Sequence, residues 1–567
     1  MNVAAPTLLK PDPGRVGRAL ASALASIVAL RPLGWAALVI AALVFVPIAV
    51  VVGSVFLPDQ GTWAHLASTV LAGYIGNTVV LVSGVGIGVM LLGVGAAWLV
   101  TACRFPGQRA LEWMLVLPLA APAYVLAYAY TDFLQFSGPL QSSLRAATGW
   151  EAGGYWFPEV RSLPGAIAMF SFALYPYVYL LARATFLERS LSALEAGRLL
   201  GYGPVRSFFA IALPLARPAI AAGTALALME TLADFGTVSY FAVQTFTTGI
   251  YHAWLSLGDR VAAGQLSTLL LTMVAAVLLL ERWNRGRARF HTTASQRRET
   301  LYVLAGPRRW LVSLVCALPV MLGFVLPAGI LLVMSLRDSD TGHGARIWVL
   351  IGNSFMLAGV AAVVIVALAL VMAYAARIVK SPLVTAANRL AGLGYALPGA
   401  VIAVGILVPV TRLDHALVNA LAAMGISSGL LLTGGIAALV YAYLVRFMAI
   451  ALQTVESGLA RITPSMEDAA RSLGYRPAET MLKVHLPMLR GSVLTAVLIV
   501  FVDVMKELPA TLVMRPFNFD TLAVQAYNYA SDERLPEAAA ASLVIVAVGL
   551  VPLLILSRSI AKGRRSS

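Results

Sequence analysis

The sequence predicts an all-α integral membrane protein with about twelve transmembrane helices, arranged as two parallel repeats of six helices. Three observations predict this class: the composition, the length of the apolar runs and an internal duplication. Of the 567 residues, 60% are hydrophobic and only 12% are charged, whereas soluble domains are about 45–50% apolar and about 25% charged. So few charges cannot cover the surface of a water-soluble protein of this size. The composition therefore excludes a soluble enzyme, a disordered chain and a secreted disulfide scaffold.

The apolar residues form runs that are long enough to cross a lipid bilayer. A transmembrane helix needs about 20 predominantly apolar residues. Because backbone polar groups in the bilayer must be hydrogen-bonded within the protein, runs of this length indicate helices rather than the strands of a barrel. We predict twelve spans, near residues 35–57, 75–101, 110–130, 164–182, 218–242, 262–281, 310–335, 350–376, 386–409, 428–450, 491–514 and 538–557.

The basic residues predict the orientation of these spans. Most of the 41 Lys and Arg residues lie in segments that face the cytoplasm if the N-terminus is cytoplasmic, as the positive-inside rule requires. We therefore expect both termini of this multi-pass protein in the cytoplasm. The net charge of +15 then follows from topology and from contact with lipid headgroups, and no nucleic-acid partner is expected.

The longest basic segment predicts a linker between two halves of the chain. It lies between the sixth and seventh spans and carries many arginines. We divide the chain accordingly into a cytoplasmic N-terminal segment (1–34), a first six-span half (35–281), the cytoplasmic linker (282–309), a second six-span half (310–557) and a cytoplasmic tail (558–567).

The two halves repeat one another in sequence. At an offset of 273 residues, the segment from Glu195 (EAGRLLGYGPVRSFFAIALPLARP) matches the segment from Asp468 (DAARSLGYRPAETMLKVHLPMLRG). At an offset of 276, Asn77 matches Asn353. Because six spans is an even number, the repeats are parallel and related by an axis along the membrane normal. Two similar bundles that face each other leave a pathway between them, which favours a transporter.

Each repeated segment lies between the fourth and fifth spans of its half, on the predicted cytoplasmic side. It begins with an acid, two small residues and an arginine, and a glycine follows three positions later. This pattern predicts a short helix that ends at a left-handed glycine, then a second helix, with a proline in the first turn of the next span. Such a pair of helices suits docking rather than catalysis. The residues are Glu195, Ala196, Gly197, Arg198, Gly201 and Pro214 in the first half, and Asp468, Ala469, Ala470, Arg471, Gly474 and Pro487 in the second.

These loops resemble the EAA loop of ABC importer permeases, which engages the ATP-binding subunit. The triplets here are Glu195-Ala196-Gly197 and Asp468-Ala469-Ala470, so each copy departs conservatively from Glu-Ala-Ala. Each six-span half is similar to the MetI-like, or type I, importer fold, and the resemblance covers almost the whole chain. It implies a protein of the bacterial inner membrane in which each loop forms a coupling helix in a groove of one nucleotide-binding subunit. Closure of the ATP-bound subunits would rock the halves from inward-facing to outward-facing.

The resemblance also implies the partners. The sequence contains no GxxxxGKS or GxxxxGKT phosphate-binding loop, which an ATPase needs for its β- and γ-phosphates. We therefore expect no bound cofactor and no enzymatic activity in this chain. Two copies of a separate ATP-binding subunit would hydrolyse the ATP, and a periplasmic substrate-binding protein would deliver the cargo to the outer loops.

Two stretches indicate the cargo. The segments Met229–Trp254 and Asp503–Tyr527 resemble the corresponding segments of ferric-iron permeases, the second more specifically because KELPAT and RPFNFDTLA occur together. We therefore expect ferric iron. Thiamine and 2-aminoethylphosphonate are alternatives, since importers for both also fuse two permease halves in one chain. A twelve-span secondary transporter driven by an ion gradient is the alternative from another class, but it has no need of two ATPase-docking loops.

Four acids lie inside predicted spans and are candidates for the translocation pathway. Glu230 and Asp234 are four residues apart in the fifth span, and Asp503 and Glu507 in the eleventh, so each pair is expected to share a helix face. Ionisable groups in a span are costly and usually face a bundle interior or a water-filled path. Two facing pairs would suit the passage of a trivalent cation, and no stable metal site is assigned. Alternatively the acids hold helices together, a role that Lys506 would favour by neutralising Asp503.

Other reactive residues predict no further site. Cys103 lies in a short basic loop and Cys316 in an apolar run, so a structural disulfide is not expected. No cluster of His, Cys and acidic residues has metal-ligand or catalytic-triad spacing, and no catalytic residue is assigned. Tyr124, Tyr128 and Tyr130 are expected mostly in the aromatic belt at the membrane interface.

Overall fold

The computed structural model describes residues 32–58, 61–151, 154–189, 197, 199–285, 302–337, 344–379 and 381–563. Most of these residues are helical. Within these residues, eleven helices are long and apolar enough to cross a membrane, and there are twelve if one bent pair is counted as a single span. The predicted fold class is therefore confirmed. Of the predicted segments outside the two halves, residues 1–31, 286–301 and 564–567 lie outside the described residues.

The helices follow the order of the predicted spans. In the first repeat they are α1 (Pro32–Gly53), α2 (Thr62–Thr69), α3 (Leu71–Ala102), α4 (Gln108–Met114), α5 (Ala123–Leu134), α6 (Pro139–Thr148), α7 (Leu163–Arg189), α8 (Pro204–Ser207), α9 (Leu213–Ala233), α10 (Gly236–Tyr240), α11 (Phe246–Tyr251) and α12 (Arg260–Arg285). In the second they are α13 (Pro307–Val320), α14 (Leu326–Arg337), α15 (Gly344–Ile378), α16 (Pro382–Ala391), α17 (Gly399–Ala423), α18 (Ala437–Leu459), α19 (Pro464–Ser472), α20 (Pro477–Thr480), α21 (Leu486–Met505), α22 (Pro509–Met514), α23 (Leu522–Ser531) and α24 (Leu535–Gly563).

The third and ninth predicted spans are each broken at a proline. Pro122 is extended (φ −60°, ψ 150°) before α5, and the two arms of the third span, Gln108–Ala120 and Ala123–Thr148, meet at 93°. Pro398 is extended in the same way (φ −60°, ψ 141°) before α17. Proline lacks an N–H and disfavours the helical conformation in the residue before it. Neither span is therefore the continuous helix that the apolar run predicts.

The fifth and eleventh spans begin earlier than predicted. Each passes through a π-helical turn, Phe208–Ala212 or Met481–His485, so that the spans cover Pro204–Ala233 and Pro477–Met505. The second short helix predicted in each repeated loop is thus the first part of the span itself. Pro214 and Pro487 are the second residues of α9 and α21, the α-helices that follow the π turns, so each lies in a first helical turn as predicted. A proline cannot donate to the carbonyl four residues earlier, and a wider turn at this point accommodates that loss.

The chain forms two compact units. Among the described residues, the smaller unit consists of 32–46, 362–379, 381–395 and 447–500, and it contains α16, α19, α20 and parts of α1, α15, α18 and α21. The larger unit consists of residues 47–361, 396–446 and 501–567. Within the larger unit, one hydrophobic cluster joins residues of both sequence repeats, among them Phe246, Leu266 and Val401. The division into halves at the basic linker stays a prediction from the duplication.

Two short strands connect the larger unit's helices locally. Cys103–Arg104 (β1) pairs in parallel with Tyr302–Val303 (β2), with Cys103 opposite Tyr302. Strands of two residues have no periodicity that a sequence could display, so they were not predicted. Cys103 and Cys316 are both buried and carry free thiols.

Cys103 is expected to resist alkylation in the folded protein. Its side chain is buried, and burial raises the pKa of its thiol to about 11, so almost none of the reactive thiolate is present at pH 7.5. Because the thiolate fraction rises as the pH approaches the pKa, labelling by iodoacetamide should be faster at pH 9.5 than at pH 7.5. Mass spectrometry measures the labelled fraction, with detergent-unfolded protein as the control. Rapid native labelling at pH 7.5 would contradict the burial of this thiol.

Asp414 is expected to order the segment that precedes α18. Its fully buried carboxylate accepts hydrogen bonds from the N–H groups of Leu431 (2.8 Å), Leu432 (3.1 Å) and Thr433 (2.8 Å). Replacing Asp414 by alanine removes these acceptors, so we expect faster proteolysis within residues 426–436. Limited proteolysis of the reconstituted protein measures this. Asp414→Asn, which keeps one acceptor oxygen, should give an intermediate rate, and identical cleavage of all three proteins would refute the role.

Candidate functional site

The second repeated loop forms the helix α19 and a left-handed glycine stop. Gly474 has φ +80°. The N–H groups of Gly474 and Tyr475 donate to the carbonyl oxygens of Arg471 (3.0 Å) and Ala470 (3.1 Å). These two hydrogen bonds form a Schellman motif, which satisfies carbonyls left unpaired at the helix end. The short helix and the glycine stop predicted for this loop are therefore present.

The first repeated loop has the same stop where the structure describes it. Gly201 has φ +79°, and the N–H of Tyr202 donates to the carbonyl oxygen of Gly197 at 2.9 Å. This hydrogen bond is the counterpart, 273 residues earlier, of the one between Tyr475 and Ala470. Of the predicted residues of this loop, Glu195, Ala196 and Arg198 lie outside the described residues.

Both loops expose large apolar side chains beside the glycine stop. Leu473 is 77% exposed and its counterpart Leu200 is 75% exposed. Both leucines lie outside the helices that could cross a membrane. In the second loop, Asp468 and Arg471 are also largely exposed and face each other at 3.9 Å. Exposed leucines rimmed by charged groups are typical of a surface that docks another protein.

Asp234 lies beyond the end of its helix. The helix α9 ends at Ala233, and Asp234 is extended (φ −73°, ψ 137°). Its carboxylate accepts hydrogen bonds from the N–H groups of Thr237 (2.8 Å) and Val238 (3.4 Å) and from the hydroxyl of Thr237 (3.1 Å). The carboxylate therefore caps the start of α10, where backbone N–H groups have no partner within the helix.

Glu507 makes the equivalent contacts in the second repeat. It accepts hydrogen bonds from the N–H groups of Ala510 (2.9 Å) and Thr511 (3.0 Å) and from the hydroxyl of Thr511 (2.5 Å), and so caps α22. In addition, Nη1 of Arg446 donates to Oε1 of Glu507 at 3.1 Å, and the Glu507 side chain is only 1% exposed. Glu507 is therefore both a helix cap and one member of a buried ion pair.

The other two acids lie within helices. Glu230 is partly buried in α9, and Oδ1 of Asp503 in α21 is 2.8 Å from Nζ of Lys506. The predicted sharing of a helix face within each pair is wrong, because Asp234 and Glu507 follow the helix ends. The four carboxylates also form no cation site together: in the described part of the chain, no group of three or more His, Cys, Asp or Glu side chains could hold a metal ion.

The tyrosines after Pro122 are buried, which corrects their predicted place in an interface belt. Tyr124, Tyr128 and Tyr130 are at most 4% exposed. The hydroxyl of Tyr124 donates to the carbonyl oxygen of Lys506 (3.3 Å), and the Tyr128 ring packs edge-on against Tyr240, with 4.8 Å between centroids. The break at Pro122 redirects α5, so the rings of Tyr124 and Tyr128 pack against residues near the two capping acids, whereas the hydroxyl of Tyr130 donates to the carbonyl oxygen of Leu322.

The starts of the two short helices capped by the acids lie close together within the larger unit. The hydroxyl of Tyr251, in the neighbouring helix α11, also donates to the carbonyl oxygen of Pro509 at the start of α22. Gly236 lies so close to Leu508 that a Cβ atom at Gly236 would be 2.8 Å from Leu508 Cδ2. A larger residue at this point would displace the side chain of Leu508. The junction of the two repeats is therefore built from equivalent pieces of each.

Sequence reasoning missed the residues that hold the acids. Arg446 lies in a predicted span and was not singled out, although a lone arginine in an apolar run indicates a buried acidic partner. Thr237 and Thr511 follow Asp234 and Glu507 by three and four residues, and an acid followed by threonine at this distance is typical of a helix cap. These two signals would have found the contacts without a structure.

The duplication extends to hydrogen bonds far apart in sequence. The amide of Asn77 donates to the carbonyl oxygen of Gln244 (2.9 Å), and Asn353, 276 residues later, donates to that of Asp520 (3.1 Å). Together with the paired glycine stops and the paired helix caps, these contacts define the class: a multi-pass membrane protein built from two copies of one helical unit.

Comparison with known proteins agrees with this class. A family model described as "Binding-protein-dependent transport system inner membrane component" matches residues 89–285 and 365–566. The chain belongs to this family of MetI-like, ABC-type permeases, and it is a multi-pass inner membrane protein. The family works with ATP-binding and substrate-binding proteins in ABC importers.

Several curated relatives are permease proteins. The chain is 26% identical over 495 residues to the Fe(3+)-transport system permease protein FbpB 2 of Haemophilus influenzae, which covers 86% of this chain and 90% of the relative. It is 27% identical over 197 residues to the molybdenum transport system permease protein ModB of Escherichia coli. This alignment covers 34% of this chain and 83% of the relative. It is also 27% identical over 228 residues to the putative 2-aminoethylphosphonate transport system permease protein PhnU of Salmonella choleraesuis. This alignment covers 39% of this chain and 79% of the relative.

Proposed function

We propose that this chain is the permease subunit of a ferric-iron importer and forms the path by which the cargo crosses the membrane. The observation that carries the choice of cargo is the extent of one similarity. The Fe(3+)-transport relative aligns with 86% of this chain, whereas the molybdenum and 2-aminoethylphosphonate relatives align with 34% and 39%. The two shorter alignments support the assignment to the permease class, but they do not favour a particular cargo. Thiamine and 2-aminoethylphosphonate stay as alternative cargoes.

The two repeated loops are, in this proposal, the docking surfaces for two copies of an ATP-binding subunit. The support is that both loops contain a left-handed glycine and expose an equivalent leucine beside it, Leu200 or Leu473. Two equivalent docking surfaces require two partner subunits. ATP would be bound and hydrolysed by those subunits, so that this chain holds no cofactor and acts as a transport component rather than as an enzyme.

The orientation follows from the same assignment. Docking loops that meet a cytoplasmic ATPase would leave both termini of the chain in the cytoplasm, and the distribution of basic residues supports this orientation. The loops on the other side of the membrane would then receive the periplasmic substrate-binding protein. A gradient-driven secondary transporter would need neither docking surface.

The four intramembrane acids border the pathway in this proposal, but with different roles. Asp234 and Glu507 anchor the short helices α10 and α22 through the capping hydrogen bonds. Asp503 is paired with Lys506. Glu230 is partly buried within the helix α9, and it is the acid to test first for contact with the cargo. Glu230→Gln should reduce the rate of uptake without reducing the amount of assembled permease.

Uptake of radiolabelled ferric iron by cells with and without this chain tests the proposal, with labelled thiamine and 2-aminoethylphosphonate as parallel controls. Loss of iron uptake alone is the expected result. Loss of the uptake of another labelled compound alone would support the permease role and overturn the assignment of ferric iron as the cargo. Depletion of ATP should stop uptake while dissipation of the proton gradient at constant ATP should not; the opposite pattern would establish a secondary transporter.

A further inference from the structure

The second repeated loop is held in the smaller unit by a buried arginine. Arg377, at the end of α15, forms an ion pair with Glu467 in the first turn of α19. The same guanidinium donates hydrogen bonds to the carbonyl oxygens of Leu459 and, at 2.7 Å, of Ile462. The side chains of Arg377 and Glu467 are only 17% and 14% exposed. One side chain therefore joins the end of α15, the end of α18 and the start of α19.

Two aromatic residues extend this cluster to the start of the next span. His485, fully buried in the π-helical turn, has its Nε2 atom 3.6 Å from Oε1 of Glu467. Its ring lies edge-on to Tyr374, with 5.4 Å between centroids. The hydroxyl of Tyr374 in turn donates to the carbonyl oxygen of Pro477 at 2.7 Å. Both ends of the loop are thus connected to α15.

The first repeat has no equivalent set of ionisable residues in its sequence. By the two repeat offsets, Tyr374, Arg377, Glu467 and His485 correspond to Trp98, Thr101, Leu194 and Ala212. Trp98 packs against Phe208, with 5.2 Å between ring centroids, and the hydroxyl of Thr101 donates to a carbonyl of its own helix. At these four aligned positions, the ionisable residues of the cluster are therefore present in the second repeat and absent from the sequence of the first.

The chemistry of the guanidinium suits it to fix one helix against others. The last carbonyl groups of a helix have no partner within the helix, and the planar guanidinium of arginine can donate to two such carbonyls and to a carboxylate at once. A buried ion pair that is also hydrogen-bonded holds a defined geometry, whereas an exposed pair is weak and exchanges with water. The helix α19, and with it Leu473, is thereby held in one orientation relative to α15.

We propose that Arg377 is a positioning residue for coupling: it holds α19 rigid, so that force applied at Leu473 reaches the membrane-spanning helix α15. The inference rests on the proposed docking of an ATP-binding subunit at this loop. It also makes the two docking loops mechanically unequal, because the first repeat has Thr101 in place of the arginine. The second loop is then the stiffer of the two.

A spin label measures this stiffness without the ATPase. The label is placed at Leu473→Cys or Leu200→Cys in the full chain, with Cys103→Ala and Cys316→Ala, in vesicles of phosphatidylethanolamine and phosphatidylglycerol. Arg377→Met should increase the label's mobility at position 473 and leave it unchanged at position 200. Arg377→Lys and Glu467→Gln should give smaller increases, because each retains part of the hydrogen bonding.

The exposed Arg461 provides the matched control, since Arg461→Met removes a nearby positive charge outside the cluster. This variant should not change the mobility at position 473. Equal mobility at position 473 in the unsubstituted protein and in Arg377→Met would overturn the proposal, as would an equal rise at positions 473 and 200.

Transport and assembly separate this inference from the function on which it rests. In Arg377→Met we expect uptake to fall roughly tenfold while the ATP-binding subunits still co-purify with the chain, and Arg377→Lys should restore part of the uptake. Full uptake by Arg377→Met would refute the positioning role. If the unsubstituted chain itself binds no ATP-binding subunit, the proposed function fails instead, and the mobility measurement still decides whether Arg377 holds α19.

Discussion

Replacing Gly201 and Gly474 together by valine is expected to abolish uptake while the protein still inserts into the membrane. Both glycines have φ near +80°, a conformation that costs an ordinary L-residue about 1–2 kcal/mol and is still less favourable for a β-branched one. No atom lies within 4 Å of a Cβ at either position, so the cost comes from backbone conformation and not from a clash. The helix stop would relax, and Leu200 and Leu473 would lose their orientation.

Uptake of labelled cargo, divided by the amount of inserted protein, measures this effect. Gly203→Val and Gly491→Val are matched controls, because both positions have open space around a Cβ and no positive φ. Both controls should retain most of the uptake. Normal uptake by the Gly201→Val, Gly474→Val double variant would show that the glycine stops are dispensable and would remove the main support for the docking loops.

Arg446→Met is expected to destabilise the protein by about 3–5 kcal/mol, because it leaves the carboxylate of Glu507 buried without a positive partner. The pair is nearly inaccessible to solvent, with side chains 10% and 1% exposed. It is also tightly packed, since a Cβ atom at Gly399 would lie 2.7 Å from Nη1 of Arg446. Little space is available for water to replace the guanidinium. The loss should also loosen α22, whose cap is the same carboxylate.

Unfolding of the purified protein in detergent measures this destabilisation. Adding Glu507→Gln to Arg446→Met should recover much of the lost stability. The amide carries no charge, and its oxygen can still accept a hydrogen bond from an N–H group at the start of α22. Arg471→Met is the control: Arg471 and its partner Asp468 are both more than 70% exposed, so the change in stability should be small. If Arg446→Met and Arg471→Met had the same small effect, the buried pair would not stabilise the fold.

Much of the fold was predictable because it depends on local patterns. Apolar runs of about 20 residues predict spans, and the duplicated segments predict the two glycine stops at Gly201 and Gly474, which have the expected φ. The breaks at Pro122 and Pro398 were not predicted, although both prolines are visible in the sequence. A proline inside an apolar run is also compatible with a kinked but continuous helix. Only the packing of the segments on either side of the proline decides whether the span is kinked or broken.

The candidate site was less predictable because its contacts join distant segments. Glu507 and Arg446 are 61 residues apart, and Arg377 and Glu467 are 90 apart. No periodic pattern relates such positions. The pairing of Glu230 with Asp234 failed for a different reason: the prediction assumed that the helix continues, whereas it ends at Ala233. Helix ends are least certain where the next residues are also apolar.

The π-helical turns at Phe208–Ala212 and Met481–His485 occupy matching positions in the two repeats. A π turn corresponds to one inserted residue in an α-helix. Two independent insertions at the same position require two events, whereas inheritance from one ancestral unit requires only one. The insertion is therefore older than the duplication. The residues around Arg377 differ between the copies and diverged after it. We infer that the ancestral six-helix unit already carried its wide turn before it was joined to a second copy.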